Sequence, residues 1–203
     1  NKQTSYYDYH SNILLNKNTY LEGHFESEKY FINDRYDILN EFKLINENQF
    51  RNNKYLYGLR NENIVSICVR QNRFSERPSN KSNLQSIEKS KSFVKETIEY
   101  IKRAETLIES KISNPKYFIW SDDFTNLREY FPKNKYTFII NDENKILNDF
   151  YLLKNCKYFI VGPTTFHWWG AWLSNFDNKI CIRPKNLNPS SNSDFWPESW
   201  PAI

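Results

Sequence analysis

The sequence predicts an α/β fold: a Rossmann-like parallel sheet with helices on both of its faces. Short strand-like runs alternate with helical segments over most of the 203 residues, an order that is typical of βαβ units. The strand-like runs are apolar on both sides instead of alternating, which indicates a sheet covered on both faces. Polar residues follow several of these runs, where α/β sheets bind their ligands.

The strands are predicted from five short runs rich in β-branched and aromatic residues. They are residues 63–70 (NIVSICVR), 116–121 (KYFIWS), 135–140 (KYTFII), 158–161 (YFIV) and 179–182 (KICI). Runs of this length and composition, bounded by polar residues, favour buried strands over helices.

The helices are predicted from apolar periodicity and from capping residues. The longest covers residues 87–112 and ends before Pro115. Its apolar residues recur at steps of three or four residues, or at sums of those steps, and are Val94, Ile98, Ile101, Ile108 and Ile112. Shorter helices are expected at residues 34–45, 123–131, 146–156 and 164–175. Asp34 is the expected N-cap of the earliest one.

Composition limits the classes of function. The net charge of +4 is scattered among acidic residues, which disfavours a nucleic-acid partner and suits a small anionic ligand. Three Cys and three His without ligand spacing indicate neither disulfides nor a zinc site, as in a cytoplasmic protein. No apolar run approaches the roughly 18–20 residues needed to span a bilayer, and peripheral contact with the inner face of the membrane stays open.

Ligand-binding residues are expected at the carboxyl ends of the strands. Those ends carry Arg70 and residues 121–122, 141–142 and 162–165. The chain has four Gly and no GxGxxG or P-loop pattern. A dinucleotide dehydrogenase and a Walker-type NTPase are therefore disfavoured.

Arg70 is the candidate for binding a diphosphate. A guanidinium can bind a diphosphate bidentately and can stabilise it as a leaving group without a metal. An ordinary surface arginine at a strand end is the equally compatible alternative. Asp122 and Asp123 follow the second strand. We assign the ligand role to Asp122, through a guanine edge or ribose hydroxyls, and a helix cap to Asp123; two acids alone are a weak basis for a metal site.

The segment TTFHWWGAWL, residues 164–173, begins a helix. Thr164 and Thr165 can hold phosphate or ribose at its N-terminus, or can simply cap it. His167 in the first turn can hydrogen-bond a nucleotide or pack in the core. Packing, not sugar stacking, is the expected role of Trp168, Trp169 and Trp172.

Six segments together carry a resemblance to a known family. They are residues 20–31 (YLEGHFESEKYF), 63–74, 117–123 (YFIWSDD), 148–173, 178–185 (NKICIRPK) and 196–203 (WPESWPAI). In this order they resemble glycosyltransferase family 11, the α-1,2-fucosyltransferases. That family has YLEGYFQSEKYF-type, H-x-R-R-G-D-Y, YFxFSDD and D-x-x-L-M-S-x-C segments, followed by N-S-S-F-S-W-W-G-A-W-L.

The resemblance implies a GT-B glycosyltransferase with two Rossmann-like domains. It implies inverting transfer of fucose from GDP-fucose to the 2-hydroxyl of a galactoside, without a metal or another cofactor. The product would be a cell-surface glycan such as an O-antigen or capsule. By the same resemblance, Arg70 binds the donor β-phosphate, Asp122 binds guanine, and Thr164, Thr165 and Phe166 line the donor pocket.

The chain departs from the family pattern around Arg70. Cys68 stands in place of the motif's His, and residues 71–73 (QNR) stand in place of Arg-Gly-Asp. We expect Arg73 to restore the lost charge and His167 to stand in for the lost His. Glu76, in the loop after Arg70, is the candidate general base, with a solvated loop glutamate as the alternative.

The resemblance also predicts the domain organisation. Residues 1–62 would be the tail of an N-terminal, acceptor-side domain with interdomain helices, and residues 63–203 the C-terminal donor domain. The chain has no Met and lacks a GGLGNQ-type segment, so we expect a fragment of a longer protein that is inactive alone. Open alternatives are a nucleotide-binding relic without activity and a transferase for another donor sugar. A carbohydrate-binding module is disfavoured by the βαβ order.

Overall fold

A computed structural model describes residues 9–11, 18, 20, 22–141, 145–190 and 192–203, the side chain of Asn61 excepted. Five parallel strands form one sheet in the order β3-β2-β1-β4-β5. The strands are β1 Ile64–Val69, β2 Lys116–Ser121, β3 Tyr136–Phe138, β4 Tyr158–Ile160 and β5 Ile180–Ile182. The predicted parallel α/β sheet is confirmed.

The helices are α1 Arg35–Glu41, α2 Leu56–Asn61, α3 Leu84–Glu109, α4 Leu127–Tyr130, α5 Lys145–Lys154 and α6 Thr165–Leu173. Helix α3 begins earlier than predicted because Asn83 caps it, accepting a hydrogen bond from the Ser86 N–H at 3.1 Å. Helix α1 ends at Glu41, and Asp34 at its start makes no capping side-chain bond. Helix α2 was not predicted.

The predicted helix at residues 123–131 is mostly wrong, since α4 has only four residues. Asp123 does not cap it; its carboxylate accepts the Thr125 N–H at 2.8 Å in a local turn. Asn126, directly before α4, has the left-handed φ of 63°, which does not extend a right-handed helix. Asp123 and Asn126 therefore shape a loop beyond β2.

The two faces of the sheet have separate hydrophobic cores, because successive strand residues point to opposite sides. Val65, Ile67 and Val69 of β1 pack with α3 and α4. Ile64 and Cys68 lie on the other face, with α5 and α6. Helices thus cover both faces, as predicted. Within the described ranges, no helix combines the length and apolar character needed to cross a bilayer.

Residues from the segment before β1 pack on the same core as α5 and α6. The Phe31 and Phe42 rings stack on Trp169 at centroid distances of 5.3 and 5.5 Å. The Arg35 guanidinium lies 4.7 Å from the ring centre of Trp172. The tryptophans of α6 therefore serve packing. The division into domains at residues 62 and 63 stays a prediction.

Candidate functional site

The carboxyl ends of β1, β2 and β4 surround a cavity of about 390 Å³, here called the sheet-edge pocket. Its lining comprises Cys68, Val69, Arg70, Trp120, Ser121, Asp122, Lys145, Ile146, Asp149, Thr164 and Phe166. A second cavity of about 330 Å³, here called the arginine pocket, is lined by Arg70, Arg73, Phe74, Glu76, Arg77 and Asn80. Because Arg70 lines both cavities, one extended ligand can occupy the two together.

A larger cleft of about 730 Å³ lies elsewhere, where α5 and α6 end. Residues 43–48 contribute much of its wall, and no residue from a strand's carboxyl end lines it. Size alone does not make it the site, since ligands of open α/β sheets bind at the carboxyl ends of the strands.

Arg70 directly follows β1, as the sequence predicts, and its guanidinium is only partly engaged by the protein. Its Nη2 atom forms an ion pair with the Glu76 carboxylate. Its Nε is buried and has no hydrogen-bond partner within the described residues. A buried N–H without a partner is costly, so a ligand oxygen at this point would be favoured. The structure therefore places Arg70 and Glu76 together in the arginine pocket.

Asp122 lies beside Arg70, but its carboxylate is already used by the protein. It accepts hydrogen bonds from the backbone N–H groups of Gln71, at 2.7 Å, and Asn72, at 3.0 Å. The Gln71 amide in turn donates to the carbonyl oxygens of Asp123 and Thr125 at 2.7 and 2.8 Å. These bonds join the loops after β1 and β2, so Asp122 positions the loop that follows Arg70.

Thr164 is the N-cap of α6, which confirms the capping alternative. Its hydroxyl accepts the His167 N–H at 3.1 Å, and the side chain is buried. Thr165 is exposed at the start of the helix, and Phe166 forms part of the pocket wall. The start of α6 thus contributes the buried Thr164 and the Phe166 ring to the sheet-edge pocket, whereas Thr165, expected to line the donor pocket, lines neither the sheet-edge pocket nor the arginine pocket.

His167 has no free nitrogen for a nucleotide, contrary to the expected role. The ring is fully buried; Nδ1 accepts the Gly162 N–H at 2.8 Å, and Nε2 lies 2.7 Å from the Ser66 hydroxyl. Since Nδ1 accepts, this network assigns the proton to Nε2, which donates to Ser66. Burial lowers the pKa of His167 to about 3. The neutral ring holds β1, the loop after β4 and α6 together.

Gly162 is required by the close approach of the chain after β4 to β1. A Cβ atom built there would lie 2.3 Å from the Cys68 carbonyl oxygen and 3.0 Å from the Cys68 Cβ. No side chain fits at such distances without displacing backbone. Cys68 is itself buried, and burial raises the pKa of its thiol to about 12, so it is an inert wall of the pocket.

Arg73 lines the arginine pocket, but its guanidinium contacts the protein on several sides. It donates to the carbonyl oxygens of Pro163, at 3.5 Å, and Pro189. It also lies over the Phe93 ring at 5.1 Å. Burial lowers its pKa from the ordinary value. Arg73 thus brings a positive charge near Arg70 while it also holds the loops after β4 and β5 in place.

Asp149 was not singled out from the sequence, yet it is the most buried acid of the sheet-edge pocket. Its carboxylate accepts the Asn141 amide at 2.7 Å, and burial raises its pKa. The Trp120 indole N–H is close enough to favour the ionised form, although it makes no hydrogen bond of normal geometry. The sequence did contain a pattern that could have identified Asp149. Within residues 148–173, it stands at the Asp of the D-x-x-L motif that this stretch resembles.

Two sequence expectations fall outside what this geometry tests. Asp142, at the end of the third predicted strand, lies outside the described residues. No group of three or more His, Cys, Asp or Glu within the described ranges is arranged to hold a metal ion. Transfer without a metal stays a prediction.

Comparison with known proteins agrees with the earlier resemblance. The model for "Glycosyl transferase family 11" matches residues 3–200. An alpha-1,2-colitosyltransferase of Escherichia coli is 32% identical over 105 residues, which are 47% of this chain and 35% of that protein. The O-antigen biosynthesis glycosyltransferase WbnK of Escherichia coli is 27% identical over 106 residues, 51% of this chain and 35% of that protein. The matched part is thus about a third of these relatives' length, and no solved structure matches significantly.

Proposed function

Because the chain belongs to glycosyl transferase family 11, we propose that it transfers a sugar from a nucleotide diphosphate to a glycan hydroxyl. The specific reaction proposed is inverting transfer of fucose from GDP-fucose to the 2-hydroxyl of a galactoside, in the synthesis of a cell-surface glycan. The observation that carries the proposal is the position of Arg70, between the sheet-edge pocket and the arginine pocket.

In this proposal the sheet-edge pocket binds the guanosine part of the donor. Trp120, Ile146 and Phe166 provide apolar walls for a base, which suits the few polar groups and mainly apolar lining of nucleotide sites. Asp149 provides a buried carboxylate that can accept hydrogen bonds from the guanine N1–H and the 2-amino group. Asp149 then takes the base-recognition role that was expected of Asp122.

The arginine pocket would bind the diphosphate. Arg70, Arg73 and Arg77 line it with three positive side chains. During transfer the acceptor oxygen forms a bond to C1 of the sugar, and the bond from C1 to the phosphate oxygen breaks. The departing GDP takes the electron pair, and the Arg70 guanidinium stabilises its developing charge. The proton of the acceptor hydroxyl must go to a base, for which Glu76 stays a candidate.

A different donor sugar is the second candidate. The matched relative named a colitosyltransferase favours colitose as the transferred sugar. The replacement of the family's His by Cys68 is a second reason to consider another donor. The nucleotide and phosphate contacts proposed above would be the same for either donor. Turnover assays of the full-length protein with GDP-fucose and GDP-colitose, each with a panel of galactosides, separate the two. Nucleotide binding without turnover of either donor would favour the inactive relic.

Calorimetric titration with GDP tests the nucleotide site directly. We expect Arg70→Ala to weaken GDP binding roughly tenfold to a hundredfold, since hydrogen bonds to charged groups contribute about 1.5–3 kcal/mol. Arg60→Ala is the matched control, because Arg60 lies in α2 and lines neither pocket of the site. Equal GDP affinity of the wild type and Arg70→Ala would contradict the proposal.

A further inference from the structure

A third cavity, here called the aromatic pocket, lies against the first turns of α6 and has a volume of about 240 Å³. Its aromatic walls are Phe25, Phe31, Trp168, Trp169 and Phe195, and its polar side chains are those of His24, Glu26, Ser27 and Thr165. The volume is below the roughly 300–1,000 Å³ of drug-sized sites and suits a single sugar ring.

The aromatic pocket adjoins the proposed donor site. Thr165 lines it, while the neighbouring residues Thr164 and Phe166 line the sheet-edge pocket. The Glu26 charge acts on the Arg73 guanidinium, where it partly offsets the lowering of the pKa by burial, and Arg73 lines the arginine pocket. A ring held in the aromatic pocket would therefore lie next to a donor bound at Arg70.

The lining favours a neutral polyhydroxyl ring over an anion. No Lys or Arg is among its lining residues, and the Glu26 carboxylate would repel a phosphate. The faces of Trp169 are occupied by Phe31 and Phe42, so they are not free to stack on a ligand. Phe25, 37% exposed, offers an accessible ring surface. Apolar C–H groups of a sugar can pack on it while hydroxyls reach Glu26 and Thr165.

We propose that the aromatic pocket binds the hexose ring of the acceptor, with the Glu26 carboxylate accepting a hydrogen bond from a ring hydroxyl. The proposal rests on the function proposed above. The acceptor suits this place better than the donor sugar, because the donor sugar carries the diphosphate, whose charge the carboxylate opposes. Glu26 is thus a residue that orients the acceptor.

The test is an NMR titration of the protein with methyl β-D-galactopyranoside in the presence of GDP. We expect Glu26→Ala to weaken galactoside binding at least about fivefold, because Ala removes the oxygen that accepts the charge-assisted hydrogen bond. GDP affinity, measured separately, should stay within about twofold, because Glu26 lines neither pocket proposed for the nucleotide and acts on the diphosphate site only through the charge of Arg73. Glu22→Ala is the matched control, since Glu22 is exposed in the same segment and does not line the pocket. Phe25→Ala should also weaken galactoside binding, with GDP binding retained as the check that the variant is folded.

The outcomes separate the two proposals. If the wild type does not bind GDP, the proposed function fails. If GDP binds but the galactoside does not, or if Glu26→Ala leaves galactoside affinity unchanged, only the acceptor subsite is overturned. A loss of GDP-fucose affinity with unchanged galactoside affinity would assign the aromatic pocket to the donor sugar and would also overturn it.

Discussion

In the ion pair between Arg70 and Glu76, the Glu76 carboxylate competes with a bound diphosphate for the Arg70 guanidinium. Both side chains line the arginine pocket, and the Glu76 oxygen occupies an N–H group of Arg70 that a phosphate would need. A bound diphosphate must displace or share this contact. Replacing Glu76 by Gln removes the competing charge while keeping the size of the side chain, so we expect GDP to bind more tightly.

The size of the effect follows from the exposure of the pair. The two side chains are 33% and 42% exposed, so water and salt screen their attraction. Exposed ion pairs contribute about 0.2–1 kcal/mol. At about 1.4 kcal/mol per factor of ten, the Glu76→Gln variant should bind GDP up to about fivefold more tightly. The gain should shrink at high ionic strength, where the Debye length is short.

The assay is calorimetric titration with GDP at low and high salt. Glu62→Gln is the matched control, because Glu62 forms an ion pair with Lys116 at 2.8 Å and lines neither pocket of the site. That variant should leave GDP affinity unchanged. Weaker GDP binding by Glu76→Gln would refute the competition. Unchanged GDP binding, together with complete loss of transfer when the same substitution is made in the full-length protein, would instead identify Glu76 as the general base.

Three further predictions concern stability and base recognition. Gly162→Ala should lower the free energy of unfolding by more than about 2 kcal/mol in urea titrations, because its Cβ would lie 2.3 Å from a backbone oxygen. Gly23→Ala is the control and should change the free energy of unfolding little, since the nearest contact of its Cβ is 3.5 Å. Similar losses in both variants would contradict the argument. Burial lowers the pKa of His167 to about 3, against about 6.5 in the unfolded chain. The contribution of the neutral ring to stability is therefore present above pH 6.5 and is lost as the pH falls, so that by pH 5 the free energy of unfolding should have dropped by about 2 kcal/mol. A His167→Gln variant with the wild-type pH dependence would refute this prediction. Asp149→Asn should weaken binding of GDP more than binding of UDP in competition titrations, and an equal loss for both would argue against guanine recognition by Asp149.

Local sequence signals sufficed for the sheet and for the cap of α6. The apolar runs of the strands and Thr164 before α6 act over a few residues, so their pattern is readable in the sequence. The helix at α4 was predicted too long, because its start depends on the left-handed Asn126. Such a conformation is only weakly encoded by residue type.

The roles of the site residues depended on contacts between distant parts of the chain. Whether His167 faces a ligand or the core is decided by Ser66, 101 residues away. Asp122 serves the backbone at residues 71 and 72, which only the pairing of β1 with β2 brings near. Arg70 was predictable because its position at a strand end follows from the strand itself.

The aromatic packing between α6 and the segment before β1 has a consequence for any shortened form of this chain. Phe31 and Phe42 cover Trp169, and Glu28 accepts the Trp172 indole N–H at 2.9 Å. A chain beginning at residue 63 would expose these tryptophans to water as one apolar surface. Surfaces of that kind promote association, so the predicted domain boundary is a poor place to cut the protein.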